Sequence, residues 1–189
     1  VHYIPNAIDA DRVKPSGQQK YLRAKHNIPE CSKIVLFGHR LSEEKRPALA
    51  VEVAKHLPPD WVMVITGDGP EKAAIESAAC DRVRIVGACD SLADWLSISD
   101  CFLSLSTFEG FGLAIAEAMA AGVPAVSTPT GIAPGLATTI PADSTPGEWA
   151  NAIVNAQVIA PSEFMLEQFS VEKMVDSWSR VITNITSNT

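Results

Sequence analysis

Short apolar runs rich in β-branched residues recur along this chain, and each is followed by a segment with helical spacing. "KIVLF" (33–37), "WVMVITG" (61–67), "RVRIVG" (82–87), "CFLSLS" (101–106) and "PAVST" (124–128) read as strands, most of them apolar at consecutive rather than alternate positions. A strand that is apolar on both faces must be covered on both faces, as in a parallel sheet flanked by helices. The intervening segments supply those helices. "RPALAVEVAKHL" (46–57) carries Leu49, Val53 and Leu57 on one stripe. "PEKAAIESAA" (70–79) places Pro70 at a first helical position, where no N–H is needed. "SLADWLSIS" (91–99) opens on Ser91 as a side-chain cap, and "GLAIAEAMAAG" (112–122) closes on Gly122. The alternation predicts an α/β fold with a doubly wound parallel sheet.

Beyond Gly131 the pattern thins. "GIAPGLATTIPADSTPG" (131–147) reads as loop with room for one short strand. "EWANAIVNAQVIA" (148–160), "PSEFMLEQF" (161–169) and "VEKMVDSWSRVITNI" (171–185) read as helices. No repeat or low-complexity tract divides the chain, so residues 1–189 are expected to form a single domain, with a lead-in segment at 1–30 and a terminal helix at 171–189. The 189 residues, 47% of them hydrophobic, suffice for one core of ordinary size. The most apolar stretch, 111–126, is broken by Glu117, Gly122 and Pro124, so no transmembrane segment is expected. A net charge of -7 argues against nonspecific binding to nucleic acid or anionic lipid. Cys31, Cys80, Cys89 and Cys101 lack zinc-type spacing and read as reduced thiols of a cytoplasmic protein, with Cys101 buried. The opening "VHYIPNAID" has neither an initiator methionine nor a signal peptide and reads as a cut through a longer protein.

Parallel α/β sheets bind ligands outside the carboxyl ends of their strands. The loops to inspect are therefore 38–45, 67–70, 87–91 and 106–112. "GHRLSEEK" offers Arg40, a planar fork of donors, and Lys45, a mobile point charge, both suited to phosphate oxygens. Glu43 and Glu44 could instead pair them as ordinary surface charges. In "TFEGFG", Gly110 and Gly112 permit close backbone approach, and the following helix offers free N–H groups to an anion. Glu117 lies deeper in that helix among Ile115, Ala116, Ala118 and Met119, on a face expected to meet the sheet. An unpaired buried carboxylate is costly, so Glu117 needs a partner. Other motifs fail: there is no GxxxxGK loop, "GDGPEK" lacks the third glycine of a dinucleotide fingerprint, and neither GxSxG nor HExxH occurs. "DAD" (9–11) reads as a turn rather than a metal-binding pair. Of His2, His26, His39 and His56, only His39 falls in a candidate loop.

"EGFGLAIAE" (109–117) has the E-x7-E pattern of retaining glycosyltransferases of family 4, the glycosyl transferases group 1. "IPNAID" resembles that family's "IPNGVD", and "GHRLSEEKRP" its "GRLSPEKG". "VITGDGP", "VRIVG", "SDCFLSLSTFEGFGLAIAEAMAAGVPAVSTPTG" and "FSVEKMVDSW" follow in the family's order, from about His2 to Trp178. The resemblance implies the GT-B architecture of two Rossmann-like domains, of which this chain is similar to the C-terminal, donor-binding half, with the N-terminal acceptor domain absent. It implies a retaining transferase of hexosyltransferase type that uses a UDP- or GDP-sugar, needs no cofactor and no metal, and is inactive as an isolated domain. It assigns Glu109 to hydroxyls of the transferred sugar, Glu117 to the ribose, and Arg40 and Lys45 to the diphosphate. Backbone N–H groups of Gly110, Phe111, Gly112 and Leu113 would face phosphates or sugar. Gly38, at the head of the first loop, and Gly87 would also bind the donor, the loop after Gly87 meeting the base. The acceptor, a glycan, lipid or small molecule, would come through the missing domain, which would also supply any peripheral membrane contact. This sequence departs from the family pattern at His39, between Gly38 and Arg40, at Arg46, where a glycine is common, and in the shorter 131–147. Two other readings are a glycoside hydrolase using Glu109 and Glu117 about 5–9.5 Å apart, and a non-catalytic nucleotide-binding module.

Overall fold

The computed structural model describes residues 3–187. Val1, His2, Asn188 and Thr189, the outermost residues of the expected lead-in segment and terminal helix, lie outside the described residues. Six strands form one sheet: β1 (Lys33–Gly38), β2 (Trp61–Thr66), β3 (Val83–Gly87), β4 (Cys101–Ser104), β5 (Ala125–Ser127) and β6 (Thr138–Thr139). Their spatial order is β3-β2-β1-β4-β5-β6 and every neighbouring pair is parallel. This is the Rossmann order, and it reverses direction between β1 and β4.

The consecutive apolar positions divide between two cores, one on each face. Val35, Phe37, Met63, Ile65, Leu103 and Val126 pack under α2 (Pro47–Ala54), α3 (Lys72–Ala78) and α6 (Pro146–Val154), against Val51, Ile75 and Trp149. Ile34, Leu36, Val62, Val64 and Phe102 face the other way, towards Trp95 of α4 (Leu92–Leu96), Ile115 and Met119 of α5 (Leu113–Ala120) and Met165 of α7 (Ser162–Gln168). All six residues of β2 are buried. Truncating such a core side chain to alanine costs about 2–5 kcal/mol. Two further helices, α1 (Gln19–Lys25) and α8 (Val171–Ser187), lie toward the ends of the described residues. The α8 helix leaves Val175, Trp178 and Ile182 exposed.

Local chemistry explains most boundaries. Ser91 caps α4 by accepting from the Asp94 N–H. Gly122, at φ +76°, ends α5, with the Gly122 and Val123 N–H groups returning to the Met119 and Ala118 carbonyls. The expected turn at "DAD" is a 3₁₀ turn, Ala10–Val13, capped by the Asp9 carboxylate on the Asp11 N–H. The short strand allowed within 131–147 is β6.

Two expectations are corrected. Pro70 is not the first residue of α3, because the Glu71 N–H is drawn to the Leu41 carbonyl and the Lys72 N–H to Gly69, which puts Pro70 in a turn. The helix expected at 148–160 is α6, which begins and ends earlier. Thr145 and Glu148 form a reciprocal capping box with Pro146 in the first turn, a signal present in "TPGE" and passed over. The far end stops at Asn155, whose side-chain amide donates to the Asn151 carbonyl.

The loops after β1, β2 and β3 interlock through a glycine. Gly67 donates to the Gly87 carbonyl, and at φ +133° a Cβ on it would stand 1.9 Å from the His39 carbonyl oxygen. Gly67→Ala should therefore lower the urea midpoint by more than Gly17→Ala, which is also at positive φ but meets open space. The expected loss is about 3 kcal/mol against about 1 kcal/mol. Equal midpoints would contradict the interlock.

Candidate functional site

At the reversal between β1 and β4, the loops following the two strands diverge from neighbouring starting points and their tips come back together. The Thr107 N–H donates to the Glu44 carbonyl at 2.9 Å. Lys45 closes a short 3₁₀ turn, Glu43–Lys45, and its Nζ lies 2.7 Å from Glu109 Oε1. Ser106 Oγ donates to the same oxygen at 2.7 Å. Both charged side chains are largely buried, with 18% and 14% of their surface exposed. Lys45 thus reaches across to the β4 loop rather than pairing with its neighbours Glu43 and Glu44.

Three glycines shape this corner. Gly131 props the β4 loop from behind, since a Cβ there would fall 2.4 Å from the Phe111 carbonyl oxygen and 2.9 Å from the Glu109 Cβ. The Ile132 N–H donates to the same Phe111 carbonyl. Gly112, at φ +89°, turns the chain into α5, whose first-turn N–H groups receive no side-chain cap. Gly38 makes room for Leu92 of α4, whose Cδ1 would lie 2.7 Å from an added Cβ.

The remaining predicted residues are dispersed around this corner. Gly110 is exposed with open space beside it, and Leu113 is exposed. The Phe111 ring is buried edge-on against Phe169, so only its backbone is available. The Gly87 carbonyl is held by the Gly67 N–H and by Thr66 Oγ1. Arg40 is exposed and has no ion-pair partner within 4.0 Å among the described residues. Arg46 takes the left-handed conformation, φ +58°, and donates to the Ala142 carbonyl, so its charge points to the 131–147 loop and away from Lys45.

Glu117 corrects one expectation and meets another. It does not turn to the sheet; it faces the 3₁₀ turn Ala10–Val13, where Arg12 Nε lies 3.6 Å from its Oε1. The need for a partner was legible in its apolar company, but Arg12 was missed. An arginine in a polar turn before the first strand carries no periodic signal connecting it to α5. With 9% of its side chain exposed, the carboxyl is pushed up by burial, pulled down by Arg12 and pushed up again by Asp9.

His39 sits behind the Lys45–Glu109 pair, its ring 5.0 Å from Phe37 and 5.4 Å from Phe102. Its Nε2 is shielded from solvent and has no hydrogen-bond partner. Burial drives the imidazole down to about 4, with Glu109 pulling upward and Lys45 pushing downward. His39 is therefore neutral near pH 7 and acts here as an aromatic spacer. Elsewhere, the four cysteines are free thiols, and burial pushes the Cys101 thiol up. Among the described residues no helix is long and apolar enough to cross a membrane.

Known proteins share both the pattern and the shape. The family model for glycosyl transferases group 1 matches residues 18–139. N-acetyl-alpha-D-glucosaminyl L-malate synthase of Bacillus anthracis is 33% identical over 138 residues, covering 69% of this chain and 36% of that protein. D-inositol 3-phosphate glycosyltransferase of Xylanimonas cellulosilytica is 30% identical over 147 residues, covering 69% of this chain and 35% of its own length. HepE of Anabaena, solved in complex with UDP-glucose, superposes with a TM-score of 0.81 at 21% identity, over 97% of this chain and 57% of that one. Sucrose-phosphate synthase of Thermosynechococcus elongatus gives a TM-score of 0.80 at 22% identity, over all of this chain and 53% of its own. The chain thus spans about a third of these curated relatives' length and about half of the solved chains.

The neutral His39 makes stability depend on pH in one direction. Its folded-state value lies below the ordinary 6.5, so the unfolded chain takes up the proton first. Stability should hold above pH 6.5 and fall as the pH drops from there toward 4, by at most about 1.4 kcal/mol per pH unit from this residue. The difference between wild type and His39→Gln in urea unfolding at pH 4–7 should carry that slope. A pH-independent difference would contradict it.

Proposed function

The chain belongs to the glycosyl transferases group 1 family, and on that premise we propose that it binds the donor in a retaining sugar transfer from a nucleoside-diphosphate sugar to an acceptor hydroxyl. The observation that carries this reading is the corner where the β1 and β4 loops bring Lys45, Glu109 and the uncapped first turn of α5 together at the reversal of the sheet. Such a reversal is where parallel sheets take their ligands.

The chemistry follows from charge. Breaking the anomeric C–O bond builds negative charge on the departing diphosphate. Lys45, Arg40 and the N-terminal dipole of α5 are the groups to meet it. Arg40, exposed and without a salt bridge among the described residues, gives up no ion pair there to turn inward. Glu109 accepts from Lys45 and Ser106 through Oε1 alone, which leaves Oε2 for hydroxyls of the transferred sugar. Glu117, four residues past Leu113 and so about 6 Å further along the α5 axis, would accept from the vicinal hydroxyls of the ribose. HepE, solved with UDP-glucose, supports a UDP-sugar as the donor to try first. The hydrolase reading has no observation in its favour. The acceptor, whether glycan, lipid or small molecule, would meet the part of the longer protein that the relatives possess beyond this region, and transfer would take place in the cytoplasm.

Titration calorimetry of the isolated chain with UDP, GDP and ADP should show weak binding of at least one, with no sugar transfer from the matching nucleotide sugar. A folded sample that binds none of them contradicts the reading. Glu117→Gln should weaken that affinity about tenfold, the loss of one charge-assisted hydrogen bond, at unchanged melting temperature. Unchanged affinity would remove the ribose from Glu117.

A further inference from the structure

Arg12 lies outside every loop at the carboxyl ends of the strands, yet it is the cation that reaches Glu117. Its backbone is anchored on both sides. Ile8 is buried and its N–H donates to the Phe169 carbonyl at 2.7 Å. On the other side the buried Asp94 of α4 accepts from the Ser16 N–H at 2.5 Å and from Ser16 Oγ at 2.8 Å. Between these anchors the 3₁₀ turn presents a guanidinium with 67% of its side chain exposed to a carboxylate with only 9% exposed. A fixed backbone thus delivers a well-solvated cation to a nearly buried anion.

We propose that Arg12 is a positioning residue for the donor: it fixes the Glu117 carboxylate through Oε1 and leaves Oε2 turned to the ribose hydroxyls. The proposal rests on the reading of Glu117 as the partner of the ribose. No other salt bridge reaches Glu117 among the described residues, and its helical neighbours Ile115, Ala116, Ala118 and Met119 offer no polar side chain. The elements packed around α5 supply no substitute. Strands β4 and β5 carry no charged side chain. Asp94 of α4 is turned to Ser16, and Glu163 and Glu167 of α7 lie at the surface. Asp9, in the same lead-in segment as Arg12, opposes it by favouring the protonated acid. Without Arg12, burial would act unopposed. Protonation turns one carboxyl oxygen into a donor and removes the negative charge, which weakens acceptance from the two vicinal hydroxyls.

The test follows Glu117 and nucleotide binding separately, in wild type, Arg12→Ala and Arg12→Lys. Carboxyl-carbon NMR titration of Glu117 should show its midpoint moving to higher pH in Arg12→Ala and staying near wild type in Arg12→Lys. The dissociation constants for UDP and GDP, measured from pH 5 to 8, should rise at least fivefold in Arg12→Ala for the one that binds. The gap should widen as pH falls, and lysine should restore most of the affinity. The melting temperature is expected to stay near wild type in Arg12→Lys and to fall somewhat in Arg12→Ala, which leaves the nearly buried Glu117 unpaired, so binding is compared at a temperature where both variants are folded. An unmoved Glu117 midpoint in Arg12→Ala overturns the proposal, as does tighter binding, which would make Arg12 a competitor for the carboxylate. If the midpoint moves while no sample binds either nucleotide, the hold of Arg12 on Glu117 stands and the donor-binding reading fails.

Discussion

A parallel sheet with apolar side chains on both faces must be covered twice, and a sheet covered twice by crossover connections has to reverse its winding somewhere. Here the reversal falls between β1 and β4. The loops leaving those two strands start side by side and cannot be filled by a crossover helix, which leaves a crevice lined by whatever the two loops carry. Everything in the candidate site follows from that placement. The β1 loop brings Arg40 and Lys45, the β4 loop brings Ser106 and Glu109, and α5 starts from the same corner with its first N–H groups uncapped.

The charges of the candidate site are arranged in pairs that are largely, but not wholly, withdrawn from water. A lysine and a glutamate fully removed from solvent would be costly even when paired, whereas fully exposed they would be screened and mobile. With 18% and 14% exposure, Lys45 and Glu109 sit between these limits, each holding the other in place while an edge of the pair stays open. Glu117 and Arg12 divide the same task unequally, the acid buried and the base solvated. His39 fits this economy of charge as well, since a protonated imidazole beside Lys45 would repel it and burial keeps the ring neutral.

Much of the fold was legible because a short continuous apolar run and a helix of period 3.6 leave different traces, and the traces alternate from Lys33 to Ser127. Glu109 and Glu117 were legible for a related reason, being carboxylates in segments with almost no other polarity. What escaped was what depends on contacts distant in sequence. Arg12 meets Glu117 only after the lead-in segment has been pinned by Asp94 and Phe169, and no local pattern encodes that. The space that a Cβ would take at Gly38 is filled by Leu92, a packing demand that no local pattern encodes. The displaced start of α3 has a similar origin, since the Leu41 carbonyl that captures the Glu71 N–H belongs to another loop.

On the proposed reading, one crevice at the reversal of the sheet would hold the nucleotide by its phosphates at the β1 and β4 loops and by its ribose at Glu117. A crystal structure of this chain with UDP or GDP bound tests it most directly. Diphosphate oxygens should lie within hydrogen-bond distance of Lys45, Arg40 and the first N–H groups of α5, with both ribose hydroxyls on the Glu117 carboxylate. A nucleotide seated elsewhere, or seated there with its ribose turned away from Glu117, would contradict it.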